Sequence, residues 1–228
     1  DFDSLPQYSI ALDGAVKGPK IDPKNHKYSF DHHYGCIRFC TLSTSQQVHN
    51  AVLLGLQEID QYNVLANDID TDVCVPIWCL TNPDRCEEPL VKKLVDASGV
   101  ADMYLGAIPL NGMTKTIEWI SAPETDSKRS GDYQHLSPTG LRSIMEAVLH
   151  RIDLYVDGEA SGEITKQSKH GEYKILRNQN DWVLVESSDP HVYSNLYQAG
   201  FERIVLVRPQ TDSLAISFAK KSDFVDHF

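Results

Sequence analysis

The sequence predicts an α/β protein with a parallel-sheet domain over residues 1–157, a linker over 158–171 and a smaller α+β unit, ordered ββαββ, over 172–228. Three observations carry this prediction. Short apolar segments near the N-terminus stop at Asp-Gly and at Asp-His-His, and helical patterns follow them. Residues 158–171 are polar, with glycine at both ends. Beyond them, strand and helix patterns follow in an order that suits a compact α+β unit.

The first strand is Tyr8-Ser9-Ile10-Ala11-Leu12, closed by the turn signal Asp13-Gly14. Loop chemistry follows through Gly18-Pro19 and Asp22-Pro23, and a short strand, Lys27-Tyr28-Ser29-Phe30, delivers Asp31-His32-His33. Ser43-Thr44-Ser45 opens a helix to about residue 57, with Val48, Ala51, Val52 and Leu56 at helical spacing. Residues 73–80 are apolar all round and read as a buried helix started or kinked near Pro76. A further helix covers about 89–97, and 124–129 reads as a mobile loop. Ser137-Pro138 supplies an N-cap and a proline at the first helical position for a helix to about 155. The final unit has strands at 173–177 and 182–186, a helix at 191–199, and strands at 203–207 and 214–218.

Composition narrows the function. No stretch nears the roughly 20 apolar residues that span a bilayer, and no signal peptide is visible, so the expectation is a cytoplasmic protein without a membrane partner. The net charge of −11, with no long Lys/Arg run, argues against a duplex-DNA binder while leaving a small phosphorylated substrate or a short oligonucleotide open. Five cysteines, none in C-x-x-C spacing, read as reduced thiols. An oligomer is compatible with the apolar segment 203–207, which suits pairing with a second subunit or with its own sheet.

Three acidic clusters mark the first third: Asp13, Asp31-His32-His33, and Asp68-Ile69-Asp70-Thr71-Asp72. Two directly follow predicted strands, at the strand ends where ligands of open α/β sheets sit. Asp13-Gly14 alone is a turn, and Asp70-Thr71-Asp72 alone suits a helix N-terminus. Two adjacent histidines on a strand end point to different sides and cannot both pack in one core. Carboxylates with imidazole favour a divalent ion, Mg2+ or Mn2+ for the oxygens and Mn2+ or a later metal for the imidazole.

The text Leu12-Asp13-Gly14-Ala15, Asp22-Pro23 and Tyr28-Ser29-Phe30-Asp31-His32-His33 resembles the second and third motifs of the DHH phosphoesterase superfamily, in the branch of eukaryotic exonuclease-like proteins. Asp70-Thr71-Asp72 is similar to its fourth motif, with Asp72 in place of the usual glycine. The resemblance covers about residues 8–80. It implies a parallel-sheet DHH-like domain holding one or two Mn2+ (or Mg2+) ions. By that resemblance Asp13, Asp31, His32 and Asp70 would hold metal, with Asp68 and Asp72 as further candidates. His32 or His33 would stabilise charge on the phosphoryl group, and Asp31 would orient the histidines or the metal water.

Asp1-Phe2-Asp3-Ser4 has the look of the family's first His/Asp-x-Asp motif but lies too close to Asp13 for the usual intervening helix and strand, and the family's C-terminal Gly-Gly-Gly-His signature is not seen. His26, His49 and Asp60 are candidates to replace the former, and Arg177, Arg203 and Arg208 to contact phosphate. The expected function is a divalent-metal-dependent phosphohydrolase or phosphodiesterase. The alternative is a degenerate relative that binds metal or nucleotide without turnover, and a third is a metal hydrolase acting on an amide or ester.

Overall fold

The computed structural model describes residues 1–56, 59–104, 108, 110–166, 173–179, 182–189, 192–201 and 203–218. Among these the fold is mixed α/β, with two four-stranded mixed sheets and seven α-helices.

The first sheet joins β1 (Ser9–Leu12), β2 (Lys20–Asp22), β3 (Lys27–Phe30) and β4 (Asn63–Leu65) in the order β2-β3-β1-β4. β1 runs parallel to both β3 and β4, and β2 is antiparallel to β3. The sheet expected to be parallel is therefore mixed, with its antiparallel strand at one edge. All four residues of β1 are buried, and they alternate between two cores. Ile10 and Leu12 enter the main hydrophobic cluster, while Ala11 packs with Phe2, Leu5 and Val16 on the other face.

The main cluster is closed by helices. α1 (Thr44–Leu53) starts at a full capping box, in which the Ser43 hydroxyl accepts from the Gln46 amide and the Gln46 side chain accepts from the Ser43 N–H. α2 (Thr71–Thr81) contains Pro76 and buries Val73, Cys74, Trp78 and Cys79. α3 (Pro89–Tyr104) continues well past the predicted end, and α5 (Pro138–Val156) begins at the predicted cap, with Ser137 Oγ accepting from the Gly140 amide at 3.2 Å. Trp78 Nε1 donates to Asp153 Oδ1 at 2.7 Å, which ties α2 to α5 through a buried indole.

The expected mobile loop at 124–129 is helix. α4 (Thr114–Ser130) runs through Pro123 and stops where Gly131 takes a left-handed φ of 84°. Proline at 123 removes the N–H that would bond the Trp119 carbonyl, and Arg151 Nη1 from α5 donates to that carbonyl instead. The polar stretch is helical because Glu124 is buried and paired with Lys128 one turn on.

The first part of the predicted linker is also ordered: α6 (Ser161–Lys166) follows a buried Ala160, and Ile164 packs on the main cluster. Residues 167–171 of that linker lie outside the described residues, as do Gln57 and His191 at the ends of two predicted helices.

The second sheet has the order β5-β6-β7-β8, from β5 (Lys174–Gln179), β6 (Trp182–Glu186), β7 (Arg203–Arg208) and β8 (Ser213–Phe218). α7 (Val192–Gln198) connects the parallel pair β6 and β7. Val183, Val185, Val192, Leu196, Ile204 and Leu206 form its core. β7 is paired on both sides, by β6 and by β8, so residues 203–207 are not a free edge. All five cysteines are free thiols, and among the described residues no helix is long and apolar enough to cross a membrane.

Candidate metal centre

The parallel strands β1 and β3 end side by side, and the Asp13 N–H donates to the Phe30 carbonyl at 2.9 Å. Asp13 then turns into the left-handed region, with φ 49°, a conformation that aspartate tolerates better than most residues. Its carboxylate meets the two histidines that follow β3. Asp13 Oδ1 lies 3.4 Å from His32 Nε2 and 3.5 Å from His33 Nδ1.

The helices supply the rest. Asp72, in the first turn of α2, reaches the first turn of α1, where Oδ2 accepts from the Thr44 amide at 2.9 Å and Oδ1 from the Ser45 amide at 3.0 Å. Asp72 Oδ2 is also 3.7 Å from His32 Nε2. Asp102, in the last turn of α3, brings Oδ2 to 3.0 Å from the same nitrogen. Two groups result, Asp13-His32-His33 and His32-Asp72-Asp102, each with its ligand atoms within 4.8 Å of one another. The groups share His32.

His32 is fully buried, and neither of its ring nitrogens makes a hydrogen bond of proper geometry. A buried polar group left this way costs about 1–3 kcal/mol. Burial alone would favour a neutral ring. The carboxylates of Asp102 and Asp13, with the charge of Asp72, outweigh burial and push its pKa up to about 9. Burial, with Asp102 and Asp13 adding repulsion, holds the Asp72 carboxyl above its ordinary range. Burial opposes ionisation of Asp102 too, but His32 and Arg38 keep it below the usual carboxylate range. Arg38 Nη2 donates to Asp102 Oδ2 at 2.7 Å.

Asp31 is employed differently. Its buried carboxylate accepts backbone N–H groups of Gly18 at 2.7 Å, His33 at 2.8 Å and Tyr34 at 3.3 Å, and Oδ1 is 3.0 Å from His33 Nδ1. Burial would raise its pKa, yet the His33 and Gly18 amides bring it below the ordinary value. This side chain contacts the His33 ring and stands outside both ligand groups, so the structure does not bring Asp31 together with the other expected metal ligands.

Asp70 caps α2, accepting from the Val73 amide at 3.1 Å. Burial, with Asp13 and Glu124 nearby, pushes its carboxyl well above the usual range. Asp68 is held by Lys128 at 3.1 Å and by the Tyr133 hydroxyl. Neither Asp70 nor Asp68 belongs to the two groups.

None of the three candidates to replace the first motif joins the cluster. His49 Nε2 meets the Cys86 carbonyl at 2.8 Å, His26 stacks on Tyr8, and Asp60 is exposed. Asp102 is the carboxylate that sequence reasoning missed. Its signal is present in α3, where Val91, Leu94, Val95 and Ser98 form the buried stripe and Asp102, four residues beyond Ser98, continues it with a charge.

The donor set suits a divalent cation: three carboxylates and an imidazole with an unsatisfied nitrogen, plus a second imidazole that is 29% exposed. Compared with known proteins, the chain matches no family model, no curated protein and no solved structure.

Proposed function

We propose that the chain is a divalent-metal-dependent phosphohydrolase or phosphodiesterase of DHH type, acting on a small phosphorylated substrate or short oligonucleotide. The observation that carries the reading is His32, a wholly buried imidazole without a hydrogen bond, facing three carboxylates at strand and helix ends. The Asp-His-His text and the position at the carboxyl ends of parallel strands support it further.

Asp13, His32, Asp72 and Asp102 would hold Mn2+ or Mg2+, with His33 completing the Asp13 side. A divalent ion supplies Lewis acidity at a phosphoryl group and makes water more acidic. Asp31 fixes the His33 ring, and His33 is the histidine that solvent reaches, which suits it to contact phosphoryl oxygens. Arg38, 36% exposed and one carboxylate away from His32, offers positive charge to the same oxygens.

The test is metal content of the purified protein after Mn2+ loading, read beside turnover of bis(p-nitrophenyl) phosphate. About one to two equivalents of Mn2+, lost in His32→Ala and Asp13→Ala together with hydrolysis, is the expected result. Metal bound without turnover would favour the reading in which the site binds only. No metal above background would sink both.

A further inference from the structure

A cavity of about 590 Å³ runs along β3, from His26 before the strand to Phe30 at its end, and reaches Tyr8 at the start of β1. Tyr8 stands five residue steps, roughly 16 Å of extended chain, from Asp13 along β1, while Phe30, whose carbonyl accepts from the Asp13 amide, lines the end of the cavity nearer the candidate metal centre. Its walls carry five rings, from Tyr8, His26, Tyr28, Phe30 and Tyr62, beside aliphatic residues that include Leu54, 88% exposed. No lysine, arginine, aspartate or glutamate is among the described residues that line it.

We propose that this cavity is a binding site for a neutral, planar heteroaromatic group of the nucleobase type. The volume falls within the range of about 300–1,000 Å³ typical of small-molecule sites. Tyr8 and His26 lie face to face, with centroids 4.5 Å apart and planes 6° from parallel, and Tyr28 and Phe30 are parallel within 2° at 6.2 Å. Tyr62 stands edge-on to Tyr8 at 5.6 Å. Such an assembly presents flat π faces to a further ring, and stacking tolerates any base because every base has such a face.

The fold holds two of these rings in place at a cost. Tyr8 and His26 are both in the left-handed region, with φ 57° and 53°, which disfavours bulky side chains. Their backbones are pinned there: the Tyr8 carbonyl accepts from the Asn63 amide at 2.8 Å, and the His26 carbonyl from the Ser9 amide at 3.1 Å. Polar atoms accompany the rings. The Tyr62 hydroxyl is 3.3 Å from His26 Nδ1, and Tyr8, Tyr28 and Gln61 add two hydroxyls and an amide to the lining. That combination suits the edge of a heterocycle better than a hydrocarbon, and the described lining offers no charged side chain to hold the phosphate itself.

Calorimetric titration with adenosine, which carries a base and no phosphate, tests the proposal on the wild type and on Tyr62→Ala, Leu54→Arg and His32→Ala. Leu54→Arg changes an exposed residue, so it obstructs the cavity without entering the core; melting temperatures check the folding of each variant. The expected result is saturable sub-millimolar binding, weakened about tenfold or more in Tyr62→Ala and Leu54→Arg and unchanged in His32→Ala. Absence of saturable binding in the wild type would overturn the proposal. So would binding that both cavity variants retain, or binding lost in His32→Ala and kept in Leu54→Arg, which would locate it at the metal centre.

Discussion

Asp102 sits where a helix least favours a carboxylate, in the last turn of α3, where the partial charge of the unpaired carbonyls is negative. Its oxygen is instead compensated across space, by His32 Nε2 at 3.0 Å and by Arg38 Nη2 at 2.7 Å. Asp102→Asn keeps the shape and removes the charge. It is expected to lower Mn2+ affinity about 10- to 100-fold with the helical circular dichroism unchanged, and a titration with the unaltered affinity would remove Asp102 from the site. At this scale the sequence was informative for Asp13, His32, His33 and Asp72, because they lie in or beside a recognisable text. Asp102 arrives from a helix about seventy positions beyond His32, and only the charge on a buried stripe hints at it. Asp68 and Asp70 show the converse: acids in the right text, with one oxygen set engaged by Lys128 and Tyr133 and the other by a helix N-terminus.

The contact between α1 and α3 depends on a residue without a side chain. A Cβ placed on Gly99 would lie 3.0 Å from the Ser43 Cβ and inside contact distance of the Ser43 hydroxyl that caps α1. Alanine is the better helix former by about 1 kcal/mol, yet Gly99→Ala is expected to destabilise the protein by about 1–3 kcal/mol, because the overlap must displace the cap. Urea denaturation measures this, and a stabilised variant would mean that the helices separate freely. Elements with a full periodic pattern were legible, as α1 and α5 show, and α2 was legible as an apolar run around Pro76. β2 and β4 were not, since three residues each are too few to display alternation. α4 was misread because a proline and a charged run imitate a loop, and the compensations that make them helical, Arg151 and Lys128, come from the tertiary fold and from a pair one turn apart.

For the whole molecule, the candidate metal centre joins segments that lie far apart along the chain: the ends of β1 and β3, the starts of α1 and α2, and the end of α3. An ion bound there would favour only the folded chain. At a concentration of 100 times its dissociation constant, binding contributes about 2.7 kcal/mol, which for a chain of this size is a rise of about 5–10 °C in melting temperature. Differential scanning fluorimetry with Mn2+ should show that rise and EDTA should reverse it. A melting temperature indifferent to both would contradict the metal centre. The class of fold was readable at this scale from the order of the elements, whereas the antiparallel β2 edge and the double pairing of β7 depend on register, which no local pattern states.

The hold of Asp72 on α1 has a consequence in time. Amide protons in the first turn of a helix have no intrahelical acceptor and ordinarily exchange with solvent quickly. Those of Thr44 and Ser45 both end on a single buried carboxylate carried by a different helix. They can meet deuterium only when α1 and α2 part, so their exchange should be as slow as that of the helix interior, and Asp72→Ala should release both together. Two adjacent amides at a helix start would then record how often the floor of the site opens.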